Sequence, residues 1–220
     1  MNICKERFYQ TWRHLDAVGK PSIIWEKIKQ QYTEPHRAYH NLSHIHHCLN
    51  QLELVWREAT NPYLISWALY FHDYFYDIED NLNELRSSVE STRTACSVKL
   101  ATEFAIASGL LVLATKKHHV IETPLVARKD MEILLDIDLA ILGKPWEQYD
   151  EYRKQVRQEY ITVLWDIYAQ KRAEILSNFL RRSQIFYFSF FFDRYEKQAR
   201  KNLEQEIEFL THRGVEHKVT

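Results

Sequence analysis

The sequence predicts an all-α fold, and two observations support that prediction: low glycine content and helical spacing of apolar residues. Only 4 of the 220 residues are glycine, whereas average usage of about 7 per cent would give roughly 15. Hairpin-rich β folds and glycine-rich nucleotide-binding loops depend on glycine turns, so both are disfavoured. Near the N-terminus, Phe8, Trp12 and Leu15 already recur at the spacing of one helix face.

The first four helices are predicted from apolar stripes and helix-start residues. The apolar stripe that contains Phe8 belongs to the first predicted helix, and Pro21 begins the second. Asn41 is placed to cap the third helix. Asn61 followed by Pro62, a cap and a proline at the first helical position, begins the fourth.

The rest of the chain is also predicted to be helical. The expected helices span residues 83–100, 102–116, 131–142, 146–160, 162–182 and 193–212, with the last three ranges forming two or three helices. Segment 117–128 contains Pro124 and is predicted to be a loop, and Gly143 precedes a helix restart. The apolar pattern changes phase too often for heptads, which predicts a bundle rather than a coiled coil. We expect one domain over 1–220, with a motif-bearing core at 37–143 and C-terminal helices 146–213 packed on it.

Charge and cysteine content exclude several classes of protein. With 29 basic and 30 acidic residues, the net charge is -1, which disfavours general nucleic-acid binding and membrane-surface binding. The 3 cysteines form no Cys-x-x-Cys pair and suit a reducing compartment. The N-terminus lacks a signal-peptide apolar region, and no apolar stretch approaches a bilayer span of about 20 residues. We therefore expect a soluble, cytoplasmic protein, in which the aromatic run IFYFSFFF is core or a homodimer face.

Histidines and aspartates in apolar surroundings predict a metal site. His44 borders the apolar stripe of the third helix, His72 and Asp73 end an apolar run, and Asp138 lies within Leu-Asp-Ile-Asp-Leu. A carboxylate there is costly to bury unless it is paired, hydrogen-bonded or metal-bound. Two imidazoles and two carboxylates suit a divalent ion of the Zn, Mn, Fe, Co or Ni type without choosing among them, and the sequence does not distinguish these from Mg. Asp136, in contrast, is predicted to be a helix-surface charge.

Several motifs occur in a fixed order along the chain: RAYHNLSHI, FHDYFYD, NELRSS, ATKKHH and DIDLAILG within 37–143, then ARKNLEQEI. This set resembles a family described as predicted HD-superfamily metal-dependent phosphohydrolases. The resemblance implies that His44, His72, Asp73 and Asp138 are the metal ligands. It is more specific for fold and metal than for substrate.

The resemblance also implies roles around the metal. Glu84 corresponds to a carboxylate that helps to orient or deprotonate the attacking water in related HD nucleotidases, and it joins Asp73 as a catalytic candidate. The substrate-binding candidates are Arg37, Lys116, Lys117, His118 and His119. The first three are candidates for phosphate oxygens. Either histidine can bind a second metal or donate a hydrogen bond to substrate.

One departure weakens a particular activity. Guanosine tetraphosphate hydrolases carry His-Asp-x-x-Glu-Asp, whereas this chain has Tyr76 at the glutamate position. The leading hypothesis is therefore a phosphohydrolase acting on a small phosphorylated molecule, with a nucleotide as one option. A di-iron oxygenase and a non-catalytic metal-containing binding or regulatory protein are the alternatives. Cys48 and Cys96 are predicted to be small core residues rather than nucleophiles.

Overall fold

A computed structural model of the chain describes residues 3–216, and side chains within this range through residue 211. The described residues contain helices and no strand, which confirms the all-α prediction. The helices are α1 (Ile3–His14), α2 (Pro21–Gln31), α3 (Leu42–Leu54), α4 (Pro62–Phe71), α5 (Asn83–Ser97), α6 (Thr102–Ala114), α7 (Arg128–Leu139), a 3-10 turn (Ala140–Gly143), α8 (Trp146–Glu159), α9 (Trp165–Leu180) and α10 (Ser189–Glu216). Among residues 3–216, no helix combines the length and apolar character needed to cross a bilayer.

Two asparagine caps fix the helices that carry candidate ligands. The Asn41 side chain accepts a hydrogen bond from the Ser43 amide at 2.8 Å, and that of Asn61 accepts from the Leu64 amide at 3.0 Å. Each cap satisfies an amide that the helix itself leaves unpaired, a contribution of about 1 kcal/mol. Both predicted start signals are therefore confirmed.

Several helix boundaries differ from the prediction. α5 ends at Ser97 rather than at residue 100, because the chain turns through Lys99 in a left-handed conformation with φ 64°. α7 begins at Arg128, inside the predicted loop, and α10 begins at Ser189. Local apolar spacing does not encode these ends.

The helices group into two compact units, one ending at Asp138 and one beginning at Leu139. The first unit contains α1 to α6 and α7 up to Asp138. The second contains the 3-10 turn and α8 to α10. All of the predicted site residues lie in the first unit. The single-domain organisation, with C-terminal helices packed on the core, stays a prediction.

The core of the first unit surrounds α4. Every residue of this helix from Leu64 to Phe71 is buried. Phe8 of α1 meets the Tyr70 ring edge-on at 5.1 Å between centroids, with Trp25 and Trp67 also packed against it. Burial of such aromatic side chains contributes roughly 2 kcal/mol each. His72 and Asp73 follow directly, so they project from the most buried helix of this unit.

The second unit is held together by a close approach between the 3-10 turn and α10. A Cβ atom at Gly143 would lie 2.3 Å from Cβ of Tyr195, so only glycine fits there. The Asn202 side chain donates to the carbonyls of Leu142 and Lys144 at 2.7 and 2.8 Å. In the aromatic run, Ile185, Phe186 and Phe191 are fully buried, which confirms a core role for them.

Candidate metal centre

Three helices bring the four predicted ligands together. His44 lies in the first turn of α3, His72 and Asp73 follow α4, and Asp138 lies in the last turn of α7. The imidazole side chains are each 1% exposed, whereas those of Asp73 and Asp138 are 20% and 14% exposed. In this cluster the two imidazoles are thus buried, whereas the two carboxylates lie on the side that reaches solvent.

The distances within the cluster fit a shared ion. Nε2 of His44 and Nε2 of His72 lie 3.0 Å apart, and Oδ2 of Asp73 is 3.0 Å from Nε2 of His72. Oδ1 of Asp138 lies 3.3 and 3.4 Å from the same two nitrogens. Ligand atoms about 2.1 Å from one ion and at right angles to each other are about 3.0 Å apart. Potential ligand atoms of His44, Cys48, His72 and Asp138 all lie within 4.8 Å of one another, so this group can hold a metal ion.

A backbone contact orients the His72 ring. Its Nδ1 lies 2.9 Å from the carbonyl oxygen of Leu69, which can only accept, so Nδ1 carries a hydrogen. In the neutral ring, Nε2 then presents its lone pair to the same point as Oδ2 of Asp73. A carbonyl partner of this kind is typical of a metal-binding histidine.

Burial is the largest influence on the pKa of each group, and neighbouring charges act with or against it. Burial lowers the pKa of His44. For His72, burial acts in the same direction, but the carboxylates of Asp73 and Asp138 outweigh it and hold the pKa well above its usual value. Burial would raise the pKa of both carboxyl groups, yet the His72 imidazolium keeps it below the ordinary range in each. The two carboxylates thus favour a positive charge between them.

Cys48 is a potential ligand that the sequence interpretation assigned only to the core. It follows His44 by one helical turn, so both side chains lie on the same face of α3. Its Sγ is 3.7 Å from Nε2 of His44 and is fully buried, as predicted. Burial also raises the pKa of the thiol well above its usual value. Asp73, ionised and 3.0 Å from His72, is therefore the stronger candidate for the fourth position.

Arg37 faces the protein interior rather than an open phosphate site. Its guanidinium side chain is 0% exposed and its Nε donates to Glu34 at 2.9 Å. Its Nη1 donates to the carbonyls of Asp73 at 2.6 Å and His40 at 3.2 Å, and its Nη2 to that of Tyr74 at 2.9 Å. The predicted phosphate contact is thus at odds with this geometry. Arg37 instead ties the segment before α3 to the turn that carries Asp73.

Glu84 and Lys116, predicted for different roles, lie next to each other. Glu84 is in the first turn of α5, with its Oε2 3.8 Å from Nζ of Lys116. The ammonium also donates to the Asn81 carbonyl at 2.5 Å. Lys117 and His119 are exposed just beyond. These side chains therefore form a polar surface, and their contact with substrate stays a prediction.

His118, rather than His119, lies beside the cluster. Its Nε2 is 2.9 Å from Oδ2 of Asp138, and its backbone has a left-handed φ of 47°. Such a conformation costs a non-glycine residue about 1–3 kcal/mol and must be held by its surroundings. His119 is exposed. Because His118 takes Oδ2, Oδ1 of Asp138 is the oxygen that faces His44 and His72.

The prediction that Asp136 is a helix-surface charge is wrong. Its side chain is 0% exposed, as are Leu135 and Ile137. The helix is buried around most of its circumference here, and in the Leu-Asp-Ile-Asp-Leu segment it is Asp138, at 14% exposure, that reaches solvent. A buried helix loses the one-sided pattern from which exposure is inferred.

Asp130 is a structural residue that sequence reasoning missed. From the first turn of α7, its two carboxylate oxygens accept hydrogen bonds from the amides of Thr60 at 2.6 Å and Asn61 at 2.8 Å. The side chain is 1% exposed. It therefore joins α7, which carries Asp138, to the start of α4. An acid in a first helical turn is common, so no sequence signal distinguished it.

Comparisons with known proteins identify no relative of this chain. The chain matches no protein-family model, no curated protein and no solved structure significantly. The chemistry of the cluster is therefore inferred from its own residues and from the motifs of the sequence.

Proposed function

We propose that the chain is a divalent-metal-dependent phosphohydrolase that acts on a small phosphorylated molecule by attack of water. The observation that carries this proposal is the convergence of the His44 and His72 imidazoles, 3.0 Å apart, with carboxylate oxygens of Asp73 and Asp138 that lie 3.0 to 3.6 Å from them. The order of the sequence motifs adds to it. A divalent ion held there would supply Lewis acidity for a phosphoryl oxygen and would lower the pKa of a bound water.

The chain's own residues would hold and orient the reacting groups. The carbonyl of Leu69 fixes the His72 ring, and His118 fixes one oxygen of Asp138. Asp73 and Asp138 are the more exposed members of the cluster, so substrate would approach from their side. The imidazoles, at 1% exposure, would remain shielded from water.

The paired Glu84 and Lys116 side chains would give substrate and water separate partners. A phosphoryl group would attract the Lys116 ammonium away from the Glu84 carboxylate, which now lies 3.8 Å from it. Glu84 would then be available to accept a proton from the attacking water. Lys117 adds an exposed positive charge nearby in sequence. This ordering makes phosphate binding and base availability parts of one event.

The donor atoms of the cluster limit the choice of metal ion but do not identify a single one. Two imidazoles and two carboxylates suit Mn, Fe, Co, Ni or Zn better than Mg, which prefers all-oxygen sites. His118 is the residue best placed to join a second ion, because it already contacts Asp138. A second ion of iron would favour the oxygenase alternative.

The test combines metal analysis with an activity screen. The purified protein, loaded in turn with Mn, Co, Ni, Zn or Fe, would be assayed for phosphate release from nucleotides and simple phosphoesters. We expect Asp73→Ala to abolish both tight metal binding and turnover, while Asp166→Ala, at an exposed carboxylate of α9, leaves both unchanged. Stoichiometric metal with no phosphate release from any substrate would contradict the proposal. Two irons with oxygen uptake would instead support the oxygenase.

A further inference from the structure

The second unit contains a cavity of about 300 Å³ between α8, the start of α9 and α10. Its walls combine three basic and three aromatic side chains: Arg153, Lys154, Arg157, Trp165, Tyr168 and Phe209. A cavity of this size is at the lower end of the range for small-molecule sites. We call it the α8–α10 pocket.

The basic groups of the α8–α10 pocket are only partly neutralised. Asp150 pairs with both Arg153 and Lys154, with its Oδ2 2.6 Å from the lysine ammonium. Arg157 donates to the carbonyls of Tyr160 and Val163, which are uncharged acceptors. Of the charged side chains that line the pocket, three are therefore basic and one, Glu206, is acidic. This excess of positive charge favours an anion.

Glu206 does not cancel that excess. It is the carboxylate that lines the pocket from α10, and its side chain is 2% exposed. Arg172 of α9 donates to it at 3.0 Å, and Tyr149 also donates a hydrogen bond. Its charge is thus already balanced by a fourth basic residue.

Two buried donors of the pocket residues have no hydrogen-bond partner in the described part of the chain. They are Nε1 of Trp165 and Nε of Arg153. Buried N–H groups are nearly always paired, because leaving one unpaired forfeits its hydration without return. A small shift of either side chain toward the pocket would let an acceptor supplied by a ligand pair with it.

The aromatic walls indicate the shape of that ligand. The guanidinium of Arg153 lies over the Phe209 ring at 4.3 Å, and that of Arg157 lies over the Tyr168 ring at 4.8 Å. Trp165 meets Phe209 edge-on at 6.2 Å between centroids. Flat guanidinium and ring surfaces stack well on another flat ring and also attract a negative group.

We propose that the α8–α10 pocket is a binding site for a small aromatic ring that carries an anionic oxygen group. The oxyanion meets the donors of Arg153 and Trp165, and the ring packs among the aromatic walls. The site shares no residue with the metal cluster. Its occupancy would give the chain a second ligand, independent of the proposed hydrolase activity.

Calorimetry with three probes tests the proposal on the full chain. Phenylphosphonate carries both a ring and an oxyanion, methylphosphonate only the oxyanion, and benzyl alcohol only the ring. We expect phenylphosphonate to bind with one-to-one stoichiometry and each of the other two to bind at least about tenfold more weakly. Equal binding of phenylphosphonate and methylphosphonate would overturn the aromatic part of the proposal, and no binding of phenylphosphonate at all would overturn the whole.

Substitutions inside and outside the α8–α10 pocket test where phenylphosphonate binds. Arg153→Gln and Trp165→Phe, which keeps a ring but removes the indole N–H, should each weaken phenylphosphonate binding by about tenfold. Arg181→Gln, at an exposed arginine of the same unit, should leave it unchanged. The titrations are made with a chelator present, so that no metal at the cluster of His44, His72 and Asp138 takes up the phosphonate. Loss of binding in Arg181→Gln, or full binding in both pocket variants, would overturn the assignment, and circular dichroism of each variant checks that it has folded.

Discussion

The imidazole of His118 lies 2.9 Å from one carboxylate oxygen of Asp138, while the other oxygen faces His44 at 3.3 Å. One side chain thus sets which atom of a candidate ligand points to the cluster. Partners of this kind typically contribute a factor of about 10–100 to metal affinity. They act by fixing the ligand before the ion arrives.

We therefore expect His118→Ala to weaken binding of Zn or Mn by about 10–100-fold, measured by competition with a chelator. His119→Ala is the matched control, since this neighbouring imidazole is exposed. The same loss in both variants would mean that the orienting contact does not matter. No loss in either would show that Asp138 needs no support.

Arg37 gives a second prediction, one that separates a positioning role from phosphate binding. Arg37→Lys keeps the charge but cannot reach the carbonyls of His40, Asp73 and Tyr74 together. We expect the free energy of unfolding to fall by about 2–4 kcal/mol, because buried carbonyls lose charged donors. Urea denaturation measures this, with the exposed Arg57→Lys as control. Unchanged stability with a raised KM would instead indicate a phosphate contact.

The fold was predictable from the sequence because its signals are local. Asn41 and Asn61 cap the helices they were expected to cap, and apolar spacing identified the helices. The convergence of His44, His72 and Asp138 was predicted through the motif order rather than through periodicity. The spacing of apolar residues within one helix does not reveal which helix ends lie next to each other in the fold.

What the sequence did not show at Arg37 and Asp136 concerns contacts between residues distant in sequence. Arg37 is basic and close to His40, but only the fold shows that its donors are used by backbone carbonyls after α4. Asp136 was misjudged because α7 is buried on more than one side. In both cases, burial depends on neighbours that the local sequence does not contain.

Asp130 gives a third prediction, about stability rather than chemistry. Asp130→Ala leaves the amides of Thr60 and Asn61 without their charged acceptor. We expect a loss of about 2–3 kcal/mol in the free energy of unfolding, since hydrogen bonds to charged groups contribute about 1.5–3 kcal/mol. Urea denaturation of the metal-free protein, with Asp166→Ala as control, measures it. A loss no larger than that of the control would show that water replaces the carboxylate.

The cysteines give a fourth prediction, which depends on pH. Cys96 is exposed, so the prediction that it is a core residue is wrong. Cys4 and Cys48 are buried, and burial raises the pKa of Cys4 to about 11. A raised pKa keeps a thiol protonated until the pH approaches that value, so the reactive thiolate of Cys4 is scarce at pH 8. We expect a thiol reagent to label Cys96 alone in the folded protein at pH 8, and all three cysteines in denaturant. Rapid labelling of more than one thiol in the folded state would contradict this burial.

The choice between Asp73 and Cys48 as a ligand gives the last prediction. Both lie beside the imidazoles, but the Asp73 carboxylate has a lowered pKa, whereas the Cys48 thiol has a raised one. A metal would have to displace the thiol proton before Cys48 could bind it, so we expect Asp73→Asn to weaken Co binding far more than Cys48→Ala does. The spectrum of the Co-loaded protein provides an independent measurement. A strong near-ultraviolet charge-transfer band that disappears in Cys48→Ala would identify a thiolate ligand and replace Asp73 with Cys48 in the site.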